Sequence, residues 1–150
     1  MTLQSQRPEV HVEKPSFVID CSVVMAWCFA DESSAASHAL LDRMADETAA
    51  VPSWLFLEVC NVLALAENKG RITPAQSGEF MALLETLSWQ LDQAVASRAF
   101  THLLPLCRAH GLTSYDAVYL DLAMRLHLPL ATNDATLRNA AQKVRVKLLI

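Results

Sequence analysis

Short, almost wholly apolar runs alternate along this chain with longer stretches in which apolar residues recur every three or four positions. The runs at 17–20, 49–52, 89–91, 128–131 and 146–149 have the length of buried strands. Between them, the spacing predicts helices over 23–30, resuming through 33–46, and over 54–69, 74–87, 96–110, 115–126 and 135–142. Gly70 and Gly111 stand where two of these helices should stop, and Pro74 suits the first turn of another. Residues 54–69 are apolar nearly all round, which predicts a central helix buried on most faces. Strands alternating with helices predict an α/β fold, a single domain with a central, mainly parallel β-sheet flanked by α-helices. Residues 1–15 are polar, contain Pro8 and Pro15 and keep no period, so a flexible N-terminal extension is expected ahead of a domain over 16–150.

Four acids break this pattern. Asp20 is the only charge in residues 17–30, Glu58 the only charge in 54–66, and Asp116 and Asp134 also interrupt or end apolar stretches. Burying a carboxylate is costly unless it is paired or bound to a cation. Taken singly, three of them have structural explanations. Asp20 and Asp134 each follow a predicted strand and could cap the next helix, and Asp116 falls in a first helical turn after Thr113 and Ser114. The carboxyl end of a strand is also where open α/β sheets bind ligands. Glu58 is expected well inside its helix, too far along to cap it, with Asn61 one turn on along the same face. Were the four to converge at ~4 Å they would repel by about 1 to 4 kcal/mol per pair, so such a site must take up protons or a cation. Oxygen ligands without His or Cys suit Mg²⁺ or Mn²⁺.

Composition narrows the alternatives. With 150 residues, 53% of them hydrophobic, the chain is long enough to bury roughly 70% of its unfolded surface. No apolar run approaches the ~20 residues of a membrane span and the first residues lack a secretory signal, so a cytoplasmic protein is expected. Cys21, Cys28, Cys60 and Cys107 form no C-x-x-C pair and are read as reduced core residues. The five histidines are scattered, which argues against a histidine-based site. A net charge of −4 argues against nucleic-acid binding through one broad basic surface. After Asp134, however, there are no acids and four bases, Arg138, Lys143, Arg145 and Lys147, forming either a solvated amphipathic end or a contact for phosphate or a partner.

Four segments together carry a family resemblance. Val18-Ile19-Asp20-Cys21-Ser22 resembles the opening strand and D-x-S motif of the PIN-domain ribonucleases, and Pro52 through Glu58 to Asn61 resembles their P…E-x-x-N helix. Ser114-Tyr115-Asp116-Ala117-Val118-Tyr119 is similar to their Y-D-A-x-Y segment, and Leu130-Ala131-Thr132-Asn133-Asp134 with Leu137 to their L-x-T-x-D-x-x-L segment. The likeness is greatest to the VapC-type toxins of type II toxin–antitoxin systems. It implies a metal-dependent endoribonuclease with Asp20, Glu58, Asp116 and Asp134 as a Mg²⁺ or Mn²⁺ site, supported by hydrogen bonds from Ser22, Asn61 and Thr132. It also implies an RNA substrate, a homodimer and a cognate VapB-type antitoxin.

Tyr115 is the candidate to stack on an unpaired base, and Arg71, Arg138 and Lys143 are candidate phosphate contacts. Trp27, Trp54 and Trp89 lie among apolar neighbours and are expected in the core. Two other readings compete. A catalytically silent PIN-fold binding or scaffolding module would be expected to lose acids that this chain retains. A Mg²⁺ phosphatase of doubly wound fold would carry D-x-D where Asp20 is followed by Cys21 and Ser22.

Overall fold

The computed structural model describes residues 13–150, so most of the expected N-terminal extension lies outside the described residues. The elements run β1 (Phe17–Ile19), α1 (Cys21–Ala26), α2 (Ala35–Arg43), β2 (Ala49–Pro52), α3 (Leu55–Asn68), α4 (Pro74–Thr86), β3 (Trp89–Asp92), α5 (Val95–Arg98), α6 (Leu104–His110), α7 (Ser114–Leu126), β4 (Leu130–Ala131) and α8 (Ala135–Lys143). The four strands form one wholly parallel sheet in the order β3-β2-β1-β4, with Phe17 opposite Ala49 and Val18 opposite Leu130. Parallel strands need helical crossovers that cover both faces of the sheet, which is why β1, β2 and β4 read as continuous apolar runs and are fully buried.

From β1 the chain moves to β2 on one side, and β4 later returns to its other side. Ligands gather beyond the carboxyl ends of strands at such a switch of direction. Asp20 follows β1 there, and Thr132, Asn133 and Asp134 follow β4. Helix starts are locally encoded. Ser34 and Ser37 close a capping box on α2, and Thr73 and Gln76 close another on α4, where Pro74 takes the first helical position.

Helix α7 carries the site and is nearly all buried from Ala117 to Ala123. An ion-pair network fixes it to its neighbours. Arg98 of α5 grips Asp121 through two bonds of 2.7 and 2.8 Å, while Arg125 bonds Asp121 at 3.0 Å and Asp92 of β3 at 2.7 Å. Burial pushes the Asp121 carboxyl up, but the two guanidiniums outweigh it and hold the group below the ordinary carboxylate range.

Four expectations are corrected. Helix α3 is not buried on most faces: it buries Leu55, Val59, Leu63 and Ala66, one stripe at helical spacing, and leaves Leu57 72% and Leu65 49% exposed. The first helix ends at Ala26, well short of residue 30. The helix expected over 96–110 is broken by a π-helical turn at Ala99–Leu103, where the Leu104 N–H reaches back to the Ala99 carbonyl. Pro105 has no N–H to donate and its ring would strike the carbonyl four residues back, and the wider turn relieves both. A strand over 146–149 is reduced to a single bridge, Leu130 to Leu148. Arg145 takes φ 61° and reverses the chain just before it, and β4 offers only two residues to pair with. Among the described residues no helix is long and apolar enough to cross a membrane.

Candidate active site

Asp20 follows the inner strand β1 and caps α1, accepting from the Val23 N–H at 3.2 Å, so the structural role open to it is filled. It is also only 3% exposed. The Ser22 hydroxyl donates to one carboxylate oxygen and the Thr132 hydroxyl to the other, each at 2.6 Å. Burial pushes the carboxyl up to about 6 against the pull of these three hydrogen bonds, and nearby Asp116 adds to the rise. Both hydroxyls also stitch the loop after β4 in place: Ser22 accepts from the Asn133 N–H at 2.9 Å and Thr132 from the Asp134 N–H at 3.0 Å.

Glu58 lies in the first turn of α3, because the helix begins at Leu55, and not deep inside it as the apolar run suggested. A carboxylate there is favoured by the positive end of the helix dipole. It nevertheless caps nothing, and instead accepts from the Tyr119 hydroxyl at 2.9 Å, with the half-buried Cys21 nearby. Burial, then Asp20 and Asp116, raise its carboxyl despite the Tyr119 bond. The Cys21 thiol and the Tyr119 hydroxyl are themselves driven well up by burial, with Glu58 the largest charge acting on each. Asp116, in the first turn of α7, is raised by burial and by Asp134. Asp134 caps α8, accepting from the Leu137 N–H at 2.7 Å.

Repulsion therefore links Asp20 with Asp116, Asp116 with Asp134, and Glu58 with both Asp20 and Asp116. The expected four-acid cluster is looser than that expectation: among the described residues no three His, Cys, Asp or Glu groups stand close enough to share one ion. Asp20, Glu58 and Asp134 are each engaged by protein donors. The donor set is oxygen only, which fits a hard divalent cation.

A cleft of about 520 Å³ opens beside Glu58, lined by Cys21, Leu57, Asn61, Val62 and Tyr115. Tyr115 is 60% exposed, with its ring edge-on to Trp54 at 5.3 Å. Trp54 also meets Tyr119 edge-on at 5.5 Å, so this indole, expected in the core, is half-buried beside the site. Trp27 and Trp89 are half-buried and donate to the Ser37 and Leu84 carbonyls. Asn61, expected to support the acids, is exposed on the cleft wall; the side-chain donors to Asp20 and Glu58 are Ser22, Thr132 and Tyr119.

The candidate phosphate contacts are less open. Arg71 bonds Asp31 at 2.7 Å and Glu32 at 2.8 Å and lies over the Phe29 ring, while Arg138 donates to the Thr132 and Ile150 carbonyls. Lys143 is exposed in the last turn of α8. Sequence reasoning did not assign Tyr119 or Cys21 to the site. Tyr119 lies three residues beyond Asp116 on the same helix face, and that spacing could have found it.

A family model for the PIN domain matches residues 17–143. Among solved structures, the chain is similar to the crystal structure of PAE2754 from Pyrobaculum aerophilum, with 19% identity, a TM-score of 0.65, and coverage of 91% of this chain and 88% of that one. No functionally curated protein matches it in sequence. PIN domains are generally nuclease folds and typically use divalent metal ions. Because the match runs from the first residue of β1 to the last of α8, the chain belongs to the PIN domain family.

Proposed function

We propose that the chain is a metal-dependent endoribonuclease that hydrolyses RNA phosphodiester bonds as the toxin of a type II toxin–antitoxin pair. The observation that carries this reading is Asp20, a carboxylate 3% exposed and pushed up to about 6, held between two hydroxyls beside three further acids. A buried anion with acidic neighbours is a liability to the fold unless a cation is bound there. In this reading Asp20 and Asp116 hold Mg²⁺ or Mn²⁺, and Glu58 and Asp134 bind it directly or through water. Once bound, the cation supplies an activated water and neutralises charge on the phosphate.

The rest of the chemistry belongs to the chain. Ser22 and Thr132 fix the Asp20 carboxylate and Tyr119 fixes Glu58, to which this reading gives the proton of the attacking water. Tyr115, exposed and braced by Trp54, offers a ring face for an unpaired base. Leu57 and Phe100, 72% and 84% exposed, suit burial against a second copy of the chain or against the antitoxin.

Purified chain should cut total cellular RNA into discrete fragments with Mg²⁺ or Mn²⁺, and the fragments should vanish with EDTA and in Asp116→Asn. The separation of the acids favours one other reading, a catalytically silent binding module. Folded protein that binds metal and cuts no RNA would favour that module.

A further inference from the structure

Among the described residues, four positions take φ between 53° and 68°: Gly70, Gly111, His127 and Arg145. Each reverses the chain at the end of a helix, where glycine is the residue of least strain. The ends of α7 and α8 carry side chains there instead, and both are bases. Both line one cleft of about 480 Å³, together with Lys147 and over a floor that includes Leu128, Pro129 and Val146. Among the described residues no acid lines it. The negative ends of α7 and α8 favour cations nearby, but that attraction does not require the strained position. Nor does it account for Lys147, which lies beyond α8 beside β4, its carbonyl accepting from the Leu130 N–H at 2.8 Å.

We propose that this cleft, built by His127, Arg145 and Lys147 at the amino end of the edge strand β4, holds the phosphodiester backbone of the RNA whose cleavage occurs at the carboxyl end. The proposal rests on the ribonuclease reading and names how its substrate is held. The acid site repels a polyanion, and the net charge of −4 leaves attraction to local basic clusters. Pro129 and Thr132 are separated by about 10 Å along an extended strand, so a few nucleotides reach from one end to the other.

The test is fluorescence anisotropy of a labelled single-stranded RNA in EDTA, where no cleavage occurs, across a range of KCl concentrations. Arg145→Gln with Lys147→Gln should lower the salt slope by about 1.4 and affinity at physiological salt about tenfold, because each single-strand contact contributes ~0.7 to the slope. Lys14→Gln with Lys69→Gln removes the same net charge and should change neither. Thermal denaturation checks that both variants fold. Failure of the wild type to bind, an unchanged slope in the first variant, or equal losses in both variants would overturn the proposal. Displacement of the RNA by polyglutamate as readily as by unlabelled RNA would also overturn it, reassigning the cleft to an acidic peptide. Cleavage with Mg²⁺ is read separately, on the wild type: its absence while the variant's slope still falls counts against the nuclease reading alone, and its presence with an unchanged slope in the variant counts against the cleft alone.

Discussion

Replacing Asp20 by asparagine should make the metal-free protein more stable while abolishing cleavage. The Asp20 carboxyl rises from an ordinary 3.8 to about 6, mainly through burial. At 1.36 kcal/mol per pH unit this is a cost of about 3 kcal/mol to the folded state. The folded chain holds this proton more tightly than the unfolded one. The cost is therefore absent below about pH 4, grows as pH rises, and is complete above about pH 6. Asparagine removes the charge and keeps the shape. Its carbonyl can accept from Ser22 and Val23, and its amide can donate to Thr132, which loses its own acceptor. After roughly 1 kcal/mol for that rearranged bond, the variant should gain about 2 kcal/mol at neutral pH, or about 4 to 8 °C in Tm for a chain of this size. The assay is thermal denaturation of both proteins in EDTA at pH 4 and pH 7.5, repeated with Mg²⁺. The wild type should be the less stable at pH 7.5, the difference should shrink at pH 4, and Mg²⁺ should raise the wild type alone. A variant less stable than the wild type at pH 7.5 in EDTA would refute the reasoning, because Asp20 would then serve the fold as a cap whose charge helps.

Two further changes probe the supports of the site. Tyr119→Phe deletes the hydroxyl that orients Glu58; it should cost about 1 to 2 kcal/mol by urea denaturation and lower kcat with Mg²⁺ at least about tenfold, as losing an orienting partner does elsewhere. Arg98→Ala leaves Asp121 with Arg125 alone and should cost about 2 to 3 kcal/mol, below the loss for a wholly buried pair because Arg98 is partly exposed. Since Asp121 is held below the ordinary carboxylate range, its contribution is full above that range and is lost as pH falls below it through the lowered value of the folded state. Urea denaturation should therefore show the gap between wild type and Arg98→Ala narrowing in acid; an equal gap at every pH would point to lost packing instead.

The alternation of strands and helices was legible because buried parallel strands must be apolar throughout, and Asp20, Glu58, Asp116 and Asp134 stood out as the breaks in those runs. Asp20 and Asp134 follow strands and cap the next helices, and Asp116 falls in a first helical turn, as their neighbours in the sequence indicate. What could not be read is which apolar residues face the core. Leu57 and Leu63 are the same letter in the same helix, yet one is 72% exposed and the other 4%. With Trp54 counted as helical Glu58 reads as lying well inside its helix, whereas Trp54 is the N-cap and Glu58 falls in the first turn. The bond from Tyr119 to Glu58 joins residues 61 positions apart, a contact no local pattern encodes.

The hydrogen bond from Thr132 to Asp20 has a consequence in time, because it joins groups 112 residues apart. During synthesis Asp20 is among the earliest parts of the domain to leave the ribosome, but β4 and the loop that secures Asp20 are among the last. Parallel pairings between distant segments also form slowly. The centre is thus completed only when nearly the whole domain has emerged, and the nascent chain carries its acids unassembled past the RNA of the machine that is making it.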